Sequence, residues 1–233
     1  MRRVLVIDVG GTNVKVGIAG RREPLKIPSG PTMTPARMAA AVHKAVAGWQ
    51  YDAVSIGYPG PVIHGKPARE PHNLGRGWIR FDYEKAFGVP VKIVNDAAMQ
   101  ALGAYTGGRM LFLGLGTGLG SALVAEGILM PLELAHLPYR NGRTYEDYVG
   151  VRGLDRLGRR KWTHHVHVVV ALLRAGLQAD AVVLGGGQTK KLKTLPPGIR
   201  TSDNGSAIRG GLRLWDRPEH RKRRTVASRS RKS

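Results

Sequence analysis

Residues Val4–Ala19, VLVIDVGGTNVKVGIA, have a near-copy at Met110–Ala125, MLFLGLGTGLGSALVA. In each, an apolar run meets a glycine-rich turn and then resumes. The pattern reads as strand, glycine turn, antiparallel strand. In the first copy Asp8 stands at the end of the strand. Gly10 and Gly11 leave the backbone bare, so its N–H groups can approach a ligand closely. Thr12 adds a hydroxyl, Asn13 an amide and Lys15 a cation. The second copy carries Gly114, Gly116, Thr117, Gly118 and Gly120. One such turn is compatible with an ordinary hairpin. Two of them, about a hundred residues apart, predict two similar half-domains facing each other across one phosphate-bearing ligand.

The 233 residues suffice for one large or two small domains. Cysteine is absent, which removes disulfides and thiolate zinc sites and suits a reducing cytoplasm. No signal-peptide pattern opens the chain, and no apolar run reaches membrane-spanning length. A cytoplasmic protein without a membrane partner is therefore expected. The formal net charge is +21, of which +6 falls in Met1–Gly150 and +15 in Val151–Ser233. Such a field attracts polyanions. Residues 217–233 carry RKRR and RSRK with almost nothing apolar, the composition of a disordered basic tail.

Between the two hairpins, a polar link over Gly20–Lys26 precedes a helix predicted over Pro35–Trp49, with Thr34 as N-cap and Pro35 at the first helical position. Ala53–Gly57 reads as a buried strand and Gly65–Trp78 as a loop. A short helix follows over Asp82–Phe87, then a strand over Val91–Val94 and a helix over Ala97–Tyr105. Beyond the second hairpin, Gly127–Arg143 reads as irregular and Thr144–Leu157 as a helix. Trp162–Gly176 is partly β-branched, yet its length favours a helix leading to a strand at Ala181–Leu184. Ala207–Trp215 reads as the last helix.

Asp96 stands where a buried strand meets a helix, the usual place for ligands in open α/β sheets. A carboxylate there can take a proton from a substrate hydroxyl, or simply cap the helix. Asn95 beside it offers a donor and an acceptor. Glu133, His136 and Glu146 suit a polyhydroxyl ligand such as a sugar; a divalent metal and a surface ion-pair cluster are the rival readings. His164, His165 and His167 resemble a metal cluster only in their spacing. Gly185, Gly186 and Gly187 close a strand, consistent with a loop beneath a nucleotide or a longer phosphate chain.

Taken in order, DVGGTNVK, SIGYPGPV, NDA, GLGTGLG, ELAH and VVLGGG are similar to the motifs of the ROK sugar kinases. PHNLGRGW and LELAHLPYRNGRTYEDYVG resemble the polyphosphate glucokinase branch of that family. The resemblance runs from Val4 to Trp215. It implies an α/β, actin-like fold of two ribonuclease-H-like domains flanking a cleft. The expected division is residues 1–95 and 96–216, with the last helix returning to the first domain and 217–233 as tail. It also implies transfer of a terminal phosphoryl group to the 6-hydroxyl of glucose, from inorganic polyphosphate or ATP. By motif, Asp96 is the catalytic base, and Asn73, Asn95, Glu133, His136 and Glu146 hold the sugar. Asp8, Gly10, Gly11, Thr12, Asn13 and Lys15 form the first phosphate motif. Gly116, Thr117 and Gly118 form the second, and Gly185–Gly187 the nucleoside motif. Asp8 acts through Mg²⁺ and its waters. The relatives imply a homodimer, although no interface signature is legible.

The sequence also departs from the family. Many ROK proteins carry a Cys-rich zinc motif after a Glu-x-Gly-His segment; here the cysteines are missing and Ala135 replaces the glycine, so no structural zinc is expected. Only three residues precede Val4, which leaves no room for the DNA-binding module of ROK repressors, and no specific nucleic-acid partner is expected. Three functions therefore stand: a polyphosphate-using glucokinase, an ATP-dependent kinase for glucose or another hexose, and a polyanion-binding protein without kinase activity. A long polyanionic donor needs a positive track out of the cleft, which the basic runs Arg159–Lys161 and Lys190–Lys193 could form; an exposed, solvated face is the rival reading of both.

Overall fold

The computed structural model describes residues 2–21 and 23–216; the basic tail expected at 217–233 lies outside them. The first hairpin forms as read, from β1 (Val4–Val9) and β2 (Asn13–Ile18), with Asp8 paired opposite Lys15. The end of the polar link and the two residues after it form a third strand, β3 (Leu25–Pro28), paired along β2. Its residues alternate poorly and remain mostly exposed, so no period-2 signal marked it.

Helix α1 (Pro35–Ala45) starts at the expected cap, with Thr34 Oγ1 accepting from Arg37 N. It stops before Trp49, where Gly48 takes φ +80° and the chain turns. Next come β4 (Ala53–Tyr58), a small hairpin of β5 (Val62–Ile63) and β6 (Lys66–Pro67), α2 (Tyr83–Phe87), β7 (Val91–Asn95) and α3 (Asp96–Ala104). The first sheet has the order β3-β2-β1-β4-β7, with β1, β4 and β7 parallel.

The second hairpin is β8 (Arg109–Leu115) with β9 (Leu119–Ala125). The segment read as irregular holds β10 (Ile128–Leu132), β11 (Pro138–Arg140) and β12 (Arg143–Thr144). Pro131 sits in β10 at the edge of its sheet, where a missing N–H costs no ladder bond. The single helix expected over Thr144–Leu157 is two. Helix α4 (Tyr145–Val149) ends at Gly150, which is extended, and α5 (Val151–Gly176) begins immediately after it. Gly158, at φ 71° and ψ 160°, breaks α5 internally, which glycine alone does without strain. Beyond Gly158 the β-branched stretch is helical, because Trp162, Val166, Val169, Val170 and Leu173 all reach one core; burial outweighs propensity here. Strand β13 (Ala181–Gly185), the unforeseen β14 (Ile199–Thr201) and α6 (Ser206–Arg213) complete the described chain. The second sheet has the order β10-β9-β8-β13-β14.

The two sheets repeat one plan: an antiparallel glycine hairpin followed by parallel strands. Both are covered on both faces, so their central strands are largely apolar, with Asp8 and Ser55 as buried exceptions. In β1, Leu5, Ile7 and Val9 face α1 and α2, while Val4 and Val6 face inward. In β8, Leu111, Leu113 and Leu115 face α5, while Met110 and Phe112 face inward. The inward faces share one core, filled by α3 and α6. Those two helices cross at glycines. A Cβ on Gly103 would overlap the Ser206 carbonyl oxygen, and a Cβ on Gly210 the Met99 carbonyl oxygen. Helix α6 is hooked to the first sheet by Ser55, whose Oγ donates to Gly211 O at 2.7 Å and accepts from Trp215 Nε1 at 2.9 Å. Arg213 reaches the other way and donates to Leu102 O at 2.8 Å and Tyr105 O at 3.0 Å, closing the C-terminal end of α3. No helix among the described residues is long and apolar enough to cross a membrane.

Candidate active site

The capping role left open for Asp96 falls to its neighbour. Asn95 is the N-cap of α3: its Oδ1 accepts from Ala97 N at 2.9 Å and Ala98 N at 3.3 Å, and its Nδ2 donates to Gly60 O at 3.1 Å. Asp96 is thus released from capping. One carboxylate oxygen accepts from Ala97 N at 2.7 Å, and the side chain sits half-buried at the start of α3. Burial raises its pKa to about 7, and the nearby charge of Asp8 pushes in the same direction. The backbone N–H bonds and Lys15 oppose that rise.

Asp8 is 6% exposed at the end of β1. Lys15 Nζ lies 3.5 Å from its Oδ2. Burial raises the Asp8 pKa, and Lys15 works against the rise. Gly57, beside Asp8 in β4, keeps this space open: a Cβ there would overlap the Met99 side chain and come within 3.3 Å of Asp8 Oδ1. Gly10 N donates to Asn13 O at 3.1 Å, and Ser29 Oγ donates to Gly10 O at 2.6 Å, so the first turn is tight and braced. Gly11 and Thr12 are exposed. The Asn73 side chain lies over Gly11, with its Cβ 3.3 Å from where a Gly11 Cβ would stand.

The second turn meets the same place from the other half. Gly120 packs on the first turn of α3, a Cβ there lying 2.7 Å from Ala97 Cβ, so the hairpin sits beside Asp96. Gly116 N donates to Gly118 O at 3.1 Å, and Thr117 O accepts from Val151 N at 3.2 Å, placing the start of α5 behind this turn. Gly186, at φ +84°, crosses β8 so closely that a Cβ would overlap the Leu115 carbonyl. This brings Gly185–Gly187 against the base of the second hairpin, with Gly187 facing open space.

The expected sugar ligands divide into two groups. Glu146 is packed on the second turn: its Oε2 accepts from Leu119 N at 3.3 Å, its Oε1 from Arg152 at 3.0 Å, and a Gly118 Cβ would overlap it. Glu146 N also donates to Ala135 O at 3.0 Å, which ties the Glu133–His136 loop to α4. Glu133 and His136 themselves are exposed and 3.9 Å apart, paired with each other. Asn95 is the one largely committed to structure. Arg152 went unnoticed in the sequence because it falls just past the motif, on the first turn of α5. Of the histidines, His165 Nδ1 pairs with Tyr139 Oη at 3.1 Å, and His167 Nε2 with Thr194 O at 3.1 Å. Burial and the neighbouring His164 and Arg140 lower the His165 pKa. Among the described residues, no group of three or more His, Cys, Asp or Glu could hold a metal. The single buried carboxylate of Asp8 nevertheless fits Mg²⁺, which takes few protein ligands and completes its shell with waters and phosphate oxygens.

If Asp96 acts as base, activity must have an acid limb. Expected is a fall in kcat/KM of about tenfold per pH unit once Asp96 is protonated, with a midpoint in the Mg²⁺-loaded enzyme below the pKa of about 7 that Asp96 has without metal. Mg²⁺ bound near Asp8 would cancel its repulsion and draw the midpoint down. Carboxyl NMR titration with and without Mg²⁺ checks both.

A family model described as ROK family matches residues 4–131. The chain is similar to a polyphosphate glucokinase of Mycobacterium tuberculosis, 29% identical over 209 residues covering 79% of this chain and 77% of the relative. Its structure is similar to the inorganic polyphosphate/ATP-glucomannokinase of Arthrobacter sp. strain KM, with TM-score 0.74, 25% identity, and coverage of 91% of this chain and 97% of that one. A ROK family glucokinase of Streptomyces griseus, solved in complex with glucose and AMPPNP, shares the fold at TM-score 0.71 and 18% identity, covering 91% of this chain and 98% of that one.

Proposed function

The chain belongs to the ROK family, and from that premise we propose that it transfers the terminal phosphoryl group of inorganic polyphosphate to the 6-hydroxyl of glucose. The observation that carries the reading is Asp96: a carboxylate of raised pKa, released from capping by Asn95, beside the second glycine turn and within the field of Asp8. Asp96 accepts the hydroxyl proton as the new O–P bond forms and the terminal P–O bond of the donor breaks. The donor leaves one phosphate shorter. Glu146, Glu133, His136 and Asn73 hold the sugar hydroxyls, and Asn95 has its second Nδ2 hydrogen left to add one more bond. The turns at Gly10–Gly11 and Gly116–Gly118, with Thr12, Asn13, Thr117 and Lys15, receive the phosphates. Asp8 would hold Mg²⁺ through its waters, and the bound ion would supply charge neutralisation. Glu133 and His136 stand open to solvent, so sugar binding must bury them, and closure over the sugar excludes water as a competing acceptor.

The donor reading is supported by the meeting of two basic runs. Arg159 Nε donates to Lys191 O at 2.6 Å, which lays Arg159–Lys161 alongside Lys190–Lys193, all of these cations exposed. A polyanion longer than a nucleotide has a track to follow there. The test is glucose 6-phosphate formation with Mg²⁺, comparing long-chain polyphosphate and ATP at matched phosphate. Expected is a preference for polyphosphate that falls steeply between low and high salt, as exposed charges are screened. Activity with ATP alone assigns the donor to the Gly185–Gly187 loop and reduces the basic runs to a solvated face. Binding of polyphosphate with no sugar phosphorylated by either donor leaves the polyanion-binding protein as the remaining reading.

A further inference from the structure

Residues 69–78 cross the mouth of the first glycine turn without regular secondary structure, yet they are tied down at every step. Tyr58 Oη donates to Arg69 O at 2.8 Å, Trp78 Nε1 to Gly75 O at 2.7 Å, Gly75 N to Met33 O at 2.9 Å, and Tyr83 Oη to Trp78 O at 2.9 Å. Pro71, Leu74 and Trp78 are buried pegs, while His72, Asn73 and Arg76 stay exposed between them. One charged group closes this loop on itself. Glu70 Oε2 accepts from Gly77 N at 3.0 Å and from Trp78 N at 3.1 Å. A carboxylate taking two backbone N–H bonds makes strong, charge-assisted hydrogen bonds. Gly77, at φ +102°, bends the chain to present its N–H.

We propose that Glu70 is a positioning residue: it clamps the two stems of the 71–76 loop so that Asn73 is held over Gly11, where it bridges the sugar and the first phosphate turn. This rests on the sugar-kinase reading above. Glu70 itself touches no reacting group; its effect passes through Asn73. Without the clamp the loop keeps its pegs, but Asn73 loses its fixed height above Gly11. Misplacement of about 1 Å at a reacting site is enough to be felt strongly in rate.

The test uses the full chain with Glu70→Ala, Glu70→Gln, Asn73→Ala and the Glu70→Ala/Asn73→Ala pair. Expected for Glu70→Ala is a rise of about tenfold in the KM for sugar with kcat changed less than about threefold. Amide exchange at Gly77 and Trp78 should speed up in parallel. In Glu70→Gln a carboxamide oxygen accepts the same two bonds and recovers most of the loss. In the Asn73→Ala background, Glu70→Ala should add nothing further. A purely structural Glu70 gives the opposite pattern: a lower Tm with sugar KM unchanged, or effects of the two substitutions that multiply, and either result overturns the proposal. Unchanged exchange at Gly77 and Trp78 also overturns it. If the wild-type protein phosphorylates no sugar, the kinase reading fails and this inference with it, a result distinct from an active wild type with an indifferent Glu70→Ala.

Discussion

Asp96→Asn should abolish sugar phosphorylation while leaving the protein folded and able to bind polyphosphate. The expected loss is about a thousandfold or more in kcat, within the range that a positioned general base contributes. The substitution is unusually clean. Asn95, rather than Asp96, supplies the helix cap, so α3 keeps its N-terminus. The carboxamide oxygen of the new side chain can still accept from Ala97 N, as the carboxylate does at 2.7 Å. Removing a buried charge beside Asp8 also relieves repulsion, so Tm should hold or rise. Coupled-assay kinetics, a thermal melt and a polyphosphate binding isotherm on one preparation decide the matter. Surviving activity would show that the base lies elsewhere.

The second large effect is on the frame. Gly210→Ala should cost about 3 kcal/mol of stability, from overpacking against a neighbour that cannot move aside. The atom in the way is the carbonyl oxygen of Met99, which belongs to the backbone of α3. The helices must therefore part, and their parting loosens the shared inner core of Val6, Ala98, Leu102 and Phe112. For a chain of this size the expected fall in Tm is roughly 10 °C. Because α3 begins at Asp96, activity at permissive temperature should fall as well. A denaturant titration with kinetics at low temperature separates the two losses. Gly20→Ala tests the local alternative: its glycine has open space around it, and the cost there is only that of its φ of +87°.

Some elements were legible and others were not, for identifiable reasons. The strands β1, β4, β8 and β13 are buried on both faces over most of their length, so they stand out as largely apolar runs with glycine at or near their ends, while the edge strand β7, with Lys92 exposed, is marked by Ile93 and Val94 before Asn95. Strands β3, β10, β11 and β14 are short, lie at edges or in an outlying hairpin, and show no clean alternation; only their partners define them. The boundary between α4 and α5 was equally invisible, since Gly150 inside a helical pattern is common. Tertiary contacts explain why the residue is glycine: a Cβ at Gly150 would stand 2.8 Å from Thr117 O and 2.9 Å from Glu146 O.

The same division runs through the site. The paired glycine turns, the carboxylate at a strand–helix junction and the strongly basic second half are local facts of residue type and spacing, and a chain carries those in its order alone. Hence the two-sheet architecture, the family and the candidates Asp8, Asp96 and Glu146 could be read before any coordinate. Which candidate does what depends on neighbours far apart in the chain. Asn95 is drawn into the cap and toward Gly60, Glu146 is packed onto Gly118 and Leu119 beside Arg152, Glu133 and His136 remain in solvent, and Asn73 lies above Gly11. Burial, and with it the raised pKa of Asp96, exists only once α3 is packed between the two sheets, because desolvation is a property of the surroundings and not of the residue.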